Sequence, residues 1–222
     1  MLPEALARKL GPRSGRLCRL PGGPVRRIAR VHAKASPTAL TAADPAAGAA
    51  PVPDPQDLRR ALAQFATGVT VVTTRDAAGT PVGMTANSFA SVSLTPPLVL
   101  WSLARSAASF EAFSAARGFR VHVLASDQMD IAKRFATRGA DKFAIGEWTH
   151  EAQTPPQLAG CVAWFECVTR SRHDEGDHVI FVGRIESMGV PGGVPLIFHD
   201  SRFVTDLSEA PLPSSMLNTP WR

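Results

Sequence analysis

The sequence predicts a mainly β fold, an antiparallel barrel that is closed or nearly closed, with two or three peripheral helices. Three observations carry this. The runs VTVVTT (Val69–Thr74) and LVLWSL (Leu98–Leu103) are β-branched or apolar over the length of a buried strand. Short turn-forming segments separate consecutive runs, so neighbouring strands pair antiparallel. Strand–helix alternation is not sustained, which disfavours a parallel sheet, and barrel closure removes exposed strand edges.

The 222 residues can bury the core of one full-sized domain, and 45% of them are apolar. No apolar run approaches about 18 residues, so no transmembrane helix is expected. Charge is unevenly placed. Residues 1–43 hold nine Lys/Arg and one acid, Glu4, whereas the remaining 179 residues hold 15 basic and 18 acidic groups. The basic balance belongs to the N-terminal stretch, and the rest lacks the positive field of a nucleic-acid binder. Of the three cysteines, Cys161 and Cys167 are six apart in a strand-like run. That is about 20 Å along a strand, too far for a disulfide. The odd count fits a reducing compartment and a cytoplasmic location.

Residues 1–54, rich in Ala, Pro, Gly and Arg, read as a disordered basic extension. An organellar transit peptide and a start assigned too far upstream are the other readings. The predicted domain spans residues 55–210, and residues 211–222 read as an irregular tail. Asp57 is expected to cap a helix with Leu58, Leu62 and Phe65 on one face and Gly68 at its end. Val69–Thr74 and Val82–Ala86 form a hairpin around Asp76–Thr80, with Gly79 supplying positive φ. The short strand Ala90–Leu94, a break at Thr95-Pro96-Pro97 and the buried strand Leu98–Leu103 follow. Ser106–Ala116 reads as a helix with Phe110 and Phe113 inward, closed by Gly118. Phe119–Ala125 alternates as a strand. Asp127 caps a further short helix through Ile131 and Phe135, ended by Gly139, and residues 139–160 read as loop. Two long strands, Cys161–Arg172 and His178–Met188, flank a turn at His173–Asp177. A last short strand is Leu196–His199.

Four stretches offer chemistry. Thr85-Ala86-Asn87-Ser88 ends a strand in small and polar residues, which permit close backbone approach and offer donors to ligand oxygens; the same residues suit a plain polar strand end. Arg105 and Ser106-Ala107-Ala108-Ser109 place a cation and hydroxyls at a predicted helix start, as a phosphate site or a simple N-cap. Gly176-Asp177-His178 sets a histidine at a strand start, where it is structural or stands at a pocket rim. The acids and histidines of that turn read as solvated, and no metal is expected. Arg202-Phe203 offers a cation and a ring to a flat ligand, or packs in the core. There is no dinucleotide-binding glycine fingerprint, phosphate-binding P-loop, zinc-protease motif or nucleophile elbow, so those enzyme classes lose support.

FATGVTVVTT (Phe65–Thr74), GMTANSFASVSLTPPLVLWSL (Gly83–Leu103) with the following Arg105-Ser106, and GDHVIFVGRI (Gly176–Ile185) together resemble the flavin reductase-like family with the FMN-binding split barrel. The likeness runs from Leu58 to Leu207. It implies a six-stranded antiparallel Greek-key split barrel, usually a homodimer with flavin near the subunit interface. It also implies an NAD(P)H:flavin oxidoreductase, a type that often supplies reduced flavin to a flavin-dependent monooxygenase. Carried over by position, Thr85, Ala86, Asn87 and Ser88 line the flavin, and Ser91, Val92 and Ser93 run beside the isoalloxazine. Ser102, Arg105 and Ser106 lie by the ribityl phosphate, His178 by the nicotinamide, and Phe203 touches the ligand region. The implied cofactor is FMN, with FAD or riboflavin as alternatives, and NADH or NADPH is the co-substrate. Such a protein aligns two flat rings and needs no essential acid or base. One departure stands out: where relatives often carry Asn before the phosphate-side Ser, this chain reads Ala104-Arg105-Ser106. The rival readings are a pyridoxamine-phosphate oxidase-like enzyme and a non-enzymatic flavin- or haem-binding module on the same barrel.

Overall fold

The structure, a computed structural model, describes residues 54–149, 151 and 154–205. The expectations for residues 1–53 and 206–222 lie outside the described residues. Helix α1 (Pro55–Leu62) is capped by Asp54, whose Oδ1 accepts from the backbone N–H of Gln56 at 2.7 Å and of Asp57 at 3.3 Å. Pro55 follows the cap at the position that suits its fixed φ. Asp57, expected as the cap, instead sits in the first turn and pairs with Arg60. The helix ends at Leu62, and Gly68 belongs with Thr67 to a short strand, β1 (Thr67–Gly68), paired with residues 197–198.

The main sheet holds β2 (Thr70–Arg75), β3 (Pro81–Ala86), β4 (Ala90–Leu94), β5 (Pro97–Ala104), β6 (Gly118–Val123), β9 (Ala163–Glu175) and β10 (His178–Gly189). Its order is β3-β2-β6-β9-β10-β5-β4 and every pair is antiparallel. The sheet holds seven strands, where the resemblance implies a barrel of six. The order jumps from β2 to β6, β9 and β10 before returning to β5, so the chain crosses between the two ends of the sheet after β3. Ser88, in the loop after β3, accepts from the Ser102 N–H of β5 at 2.9 Å and draws the two ends together. Small strands complete the set: β7 (Trp148–Thr149) with β8 (Gln157–Leu158), and β11 (Ile197–His199) with β12 (Arg202–Val204) beside β1.

β2 is buried along nearly its whole length, which its β-branched run anticipates. Its threonines satisfy their hydroxyls on carbonyls: Thr70 on Ala86 at 2.7 Å, Thr73 on Pro156 at 2.8 Å and Thr74 on Gly118 at 2.8 Å. One core packs around Trp101, whose ring meets Phe113, Phe119 and Phe181 at centroid distances of 4.9, 5.6 and 5.0 Å. Gly183 admits this packing, because a Cβ there would stand 2.5 Å from Phe119 and 2.9 Å from the Cys167 Cβ. A second core gathers Val69, Val71, Leu124, Leu158 and Leu196 under helix α3 (Met129–Ala136).

Several boundaries differ from expectation. Helix α2 (Phe110–Ala115) starts four residues after Ser106, and its N-cap Ser109 makes no side-chain capping bond. Ser106 lies instead in a tight turn closed by Ala107 N–H to Ala104 O at 3.0 Å, and a second turn, closed by Phe110 N–H to Ala107 O at 3.0 Å, leads into α2. Gln128 rather than Asp127 precedes α3, and α3 stops at Ala136, short of Gly139. Gln128 is held there by bonds from Ala125 N–H at 3.0 Å and to Ala159 O at 2.9 Å. The turn between the long strands is only Gly176-Asp177, with Gly176 at φ 59°. This is the two-residue hairpin, glycine first, that matches strand twist. His173, Asp174 and Glu175 are therefore strand residues. Cys161 precedes β9 rather than sharing a strand with Cys167, and both are free and buried. Leu58, Leu62 and Phe65, expected inward, are 46%, 64% and 78% exposed. Among the described residues, α1 buries none of its side chains.

Candidate functional site

The candidate residues converge where the C-terminal end of β5 meets the start of β10. Register places His178 opposite Ala104 and Ile180 opposite Ser102. Arg105 N–H donates to Asp177 O at 2.9 Å, fastening the end of β5 to the hairpin turn. Ser88 makes two bonds to the Ser102 backbone, accepting from its N–H at 2.9 Å and donating to its carbonyl at 3.3 Å. Thr85, Ala86, Asn87, Ser88, Ser102, Arg105, Ser106 and His178 thus form one continuous rim. Ser91, Val92 and Ser93 extend it along β4, where Ser91 faces Val99 and Ser93 faces Leu98 across a bulge. From Val99 to Ser102 is about 10 Å along the strand, the length scale of a flat tricyclic ring.

The rim divides into braces and free donors. Thr85 donates its hydroxyl to Ala132 O at 2.6 Å, anchoring β3 to α3. Ala86 is buried and its carbonyl accepts from Thr70. Ser88 is committed to Ser102, and Ser93 Oγ accepts from Thr95 N–H at 3.2 Å. By contrast Asn87, Ser91 and Ser106 are exposed, and among the described residues their side-chain polar groups make no hydrogen bond. An amide and two hydroxyls with unspent capacity beside small residues fit a flat, oxygen-rich ligand laid along the rim.

His178 is half-buried, and its Nδ1 lies 2.7 Å from Asp177 Oδ1. With Nδ1–H donated to that carboxylate, Nε2 is left as an acceptor. The hydrogen bond from His178 holds the Asp177 carboxyl below its ordinary value. Arg105 pairs with Asp174 at 2.5 Å and lies 5.9 Å from the Phe110 ring centroid. Phe203 does not join the rim. It packs on Phe198 at 5.3 Å beside the core under α3. The expected helix start at Ser106 is also absent, so a helix dipole cannot supply phosphate affinity there.

Two residues that the sequence did not single out reach this region. Arg138 Nη2 donates to Ser106 O at 3.1 Å across 32 positions. Lys142 Nζ donates to Gly83 O at 2.9 Å, and burial lowers its amine pKa. Neither has a local signal: Arg138 follows α3, where basic residues ordinarily complement the helix end, and Lys142 lies in the stretch that reads as loop. A cleft of about 800 Å³ elsewhere in the fold, lined by Thr74, Arg75, Arg117 and Glu166 among others, contains none of the candidate residues. The rim is an open ledge, and its free polar groups mark it better than enclosed volume does.

Comparison with known proteins agrees with this chemistry. A family described as flavin reductase like domain matches residues 62–205. Actinorhodin polyketide dimerase of Streptomyces coelicolor is 46% identical over 154 residues, 69% of this chain and 87% of the relative. An FMN reductase (NADH) of Agrobacterium fabrum is 46% identical over 148 residues, 67% of this chain and 84% of the relative. The structure of a Streptomyces globisporus NADH:FAD oxidoreductase in complex with NAD and FAD fragments superposes with a TM-score of 0.65 at 38% identity, covering 73% of this chain and 100% of that one. Against two other curated relatives the match spans only 46% and 48% of their length.

Proposed function

The chain belongs to the flavin reductase-like family, and we propose that it is an NAD(P)H:flavin oxidoreductase whose reduced flavin serves a partner monooxygenase. The observation that carries this is the row of free donors, Asn87, Ser91 and Ser106, ending at His178. When bound, the flavin supplies the hydride-accepting chemistry at its N5. The chain's own residues hold and align. Asn87 and Ser91 offer donors and acceptors along the ledge, and Ser102 is kept in place by Ser88. His178, with Nδ1 committed to Asp177, would offer Nε2 as an acceptor to the nicotinamide. No side chain here needs to take or give a proton, so the acceleration comes from alignment of two rings.

FMN is the favoured flavin by likeness to the FMN reductase (NADH), and NADH the favoured donor by likeness to that relative and to the NADH:FAD oxidoreductase. A homodimer is part of the same reading. It is supported by the exposed apolar side chains of Leu58, Leu62 and Phe65 on and after α1, and of Val92 and Leu94 on β4. No helix among the described residues is long and apolar enough to cross a membrane. The free, buried Cys161 and Cys167 support a reducing, cytoplasmic setting.

The test is direct. Purified protein is mixed with FMN and NADH, and the nicotinamide absorbance is followed. Steady NADH loss that requires both is expected. A yellow complex without NADH loss would replace the reductase by a binding module.

A further inference from the structure

Of the cations near the proposed phosphate end, Arg105 is nearest in sequence but is already engaged. Its guanidinium pairs with Asp174 at 2.5 Å and lies against Phe110, and its backbone N–H is given to Asp177. These contacts stiffen the joint between β5 and the hairpin and point the charge into that joint.

Arg138 arrives from the opposite side. Its Nη2 donates to Ser106 O at 3.1 Å, so its guanidinium sits beside the turn that holds the free Ser106 hydroxyl. Arg138 is exposed, and among the described residues no carboxylate pairs with it. A guanidinium presents five N–H donors in a planar fork, of which this contact uses one. Arg134 and Lys133 stand in the preceding turn, beside a cleft of about 440 Å³, and Lys133 has only a loose pair with Asp130 at 3.8 Å. Arg138 is thus the basic side chain from beyond α3 that touches the Ser106 turn. A phosphate oxygen accepts well from a hydroxyl and a charged fork together.

We infer that Arg138, rather than Arg105, is the residue that reads the flavin's phosphate, and that it makes the site prefer FMN and FAD over riboflavin. This rests on the flavin reading of the rim.

The experiment is an equilibrium fluorescence titration with FMN and, separately, riboflavin, on the full chain as wild type, Arg138→Gln, Arg138→Lys and Arg105→Gln. Arg138→Gln is expected to weaken FMN binding about tenfold and riboflavin less than about twofold. The Lys variant should recover part of the loss, and the salt dependence of FMN binding should flatten in the Gln variant. Arg105→Gln should weaken both flavins alike, through the loosened joint. An equal loss for both flavins in Arg138→Gln, no loss at all, or a phosphate-selective loss that follows Arg105 instead would each overturn the assignment. A wild-type protein that binds neither flavin would remove the flavin reading itself, and the assignment with it.

Discussion

Thr85 and Asn87 are two positions apart and do opposite things. Thr85 closes its hydroxyl onto Ala132 O and braces α3 against β3, whereas the Asn87 amide stays open at the rim. Thr85→Ala should therefore cost stability, about 1 kcal/mol for one hydrogen bond, while Asn87→Ala should weaken flavin binding with little change in Tm. Thermal unfolding and flavin titration of both variants separate the two effects. His178→Ala is expected to raise KM for the nicotinamide about 2- to 10-fold, the range of one neutral hydrogen bond, with flavin affinity little changed. An unaltered KM would take His178 out of the nicotinamide site. His122 carries a different prediction. Its ring is wholly buried, its Nδ1 lies 3.1 Å from Val71 O, and burial lowers its pKa from 6.5 to about 3. The unfolded chain takes up the proton below pH 6.5 and the folded one only near 3. Stability from this residue is thus complete above pH 6.5 and falls with acidification, at most about 1.4 kcal/mol per pH unit. The Tm of a His122→Gln variant should decline less steeply between those pH values than that of the wild type.

At the scale of elements, the hairpin of β9 and β10 positions the His178 end of the rim. Its two-residue turn places His178 opposite Glu175, and the same register sets Asp174 beside Arg105. A longer turn, as the polar run His173–Asp177 suggests, would have moved Asp174 out of the strand and left Arg105 unpaired. Gly183 lets β10 lie close to Phe119 and Cys167. Gly183→Ala should destabilise by about 1–3 kcal/mol through overpacking, measured as a drop in the urea midpoint at constant slope. The start of α2 illustrates the limit of local reading. Ser106 looks like a helix cap, but the bond from Arg105 N–H to Asp177 O and the turns that follow hold it outside the helix.

For the whole molecule, the apolar residues that stay outside say as much as those inside. Leu58, Leu62 and Phe65 have the spacing of a core-facing stripe, yet Leu62 is 64% exposed. A second copy is the proposed cover, and Leu62→Glu is expected to shift the protein from dimer to monomer in analytical ultracentrifugation; an unchanged sedimentation coefficient would remove α1 from the interface. Much of this molecule was legible in one dimension. The strand runs, the hairpin with its Gly79 turn and the buried β2 follow from period, β-branching and turn chemistry, which act over a few neighbouring positions. Order among the motifs was enough to identify the barrel and its chemistry. Only the tertiary structure decided which polar groups are spent and which are free. Ser88 reaches Ser102 across 14 positions, Arg138 reaches Ser106 across 32 and Thr85 reaches Ala132 across 47. Partners at those separations are chosen by strand order and helix placement. That is why Arg105 reads in sequence as the phosphate's cation and stands in the fold as the brace of a hairpin.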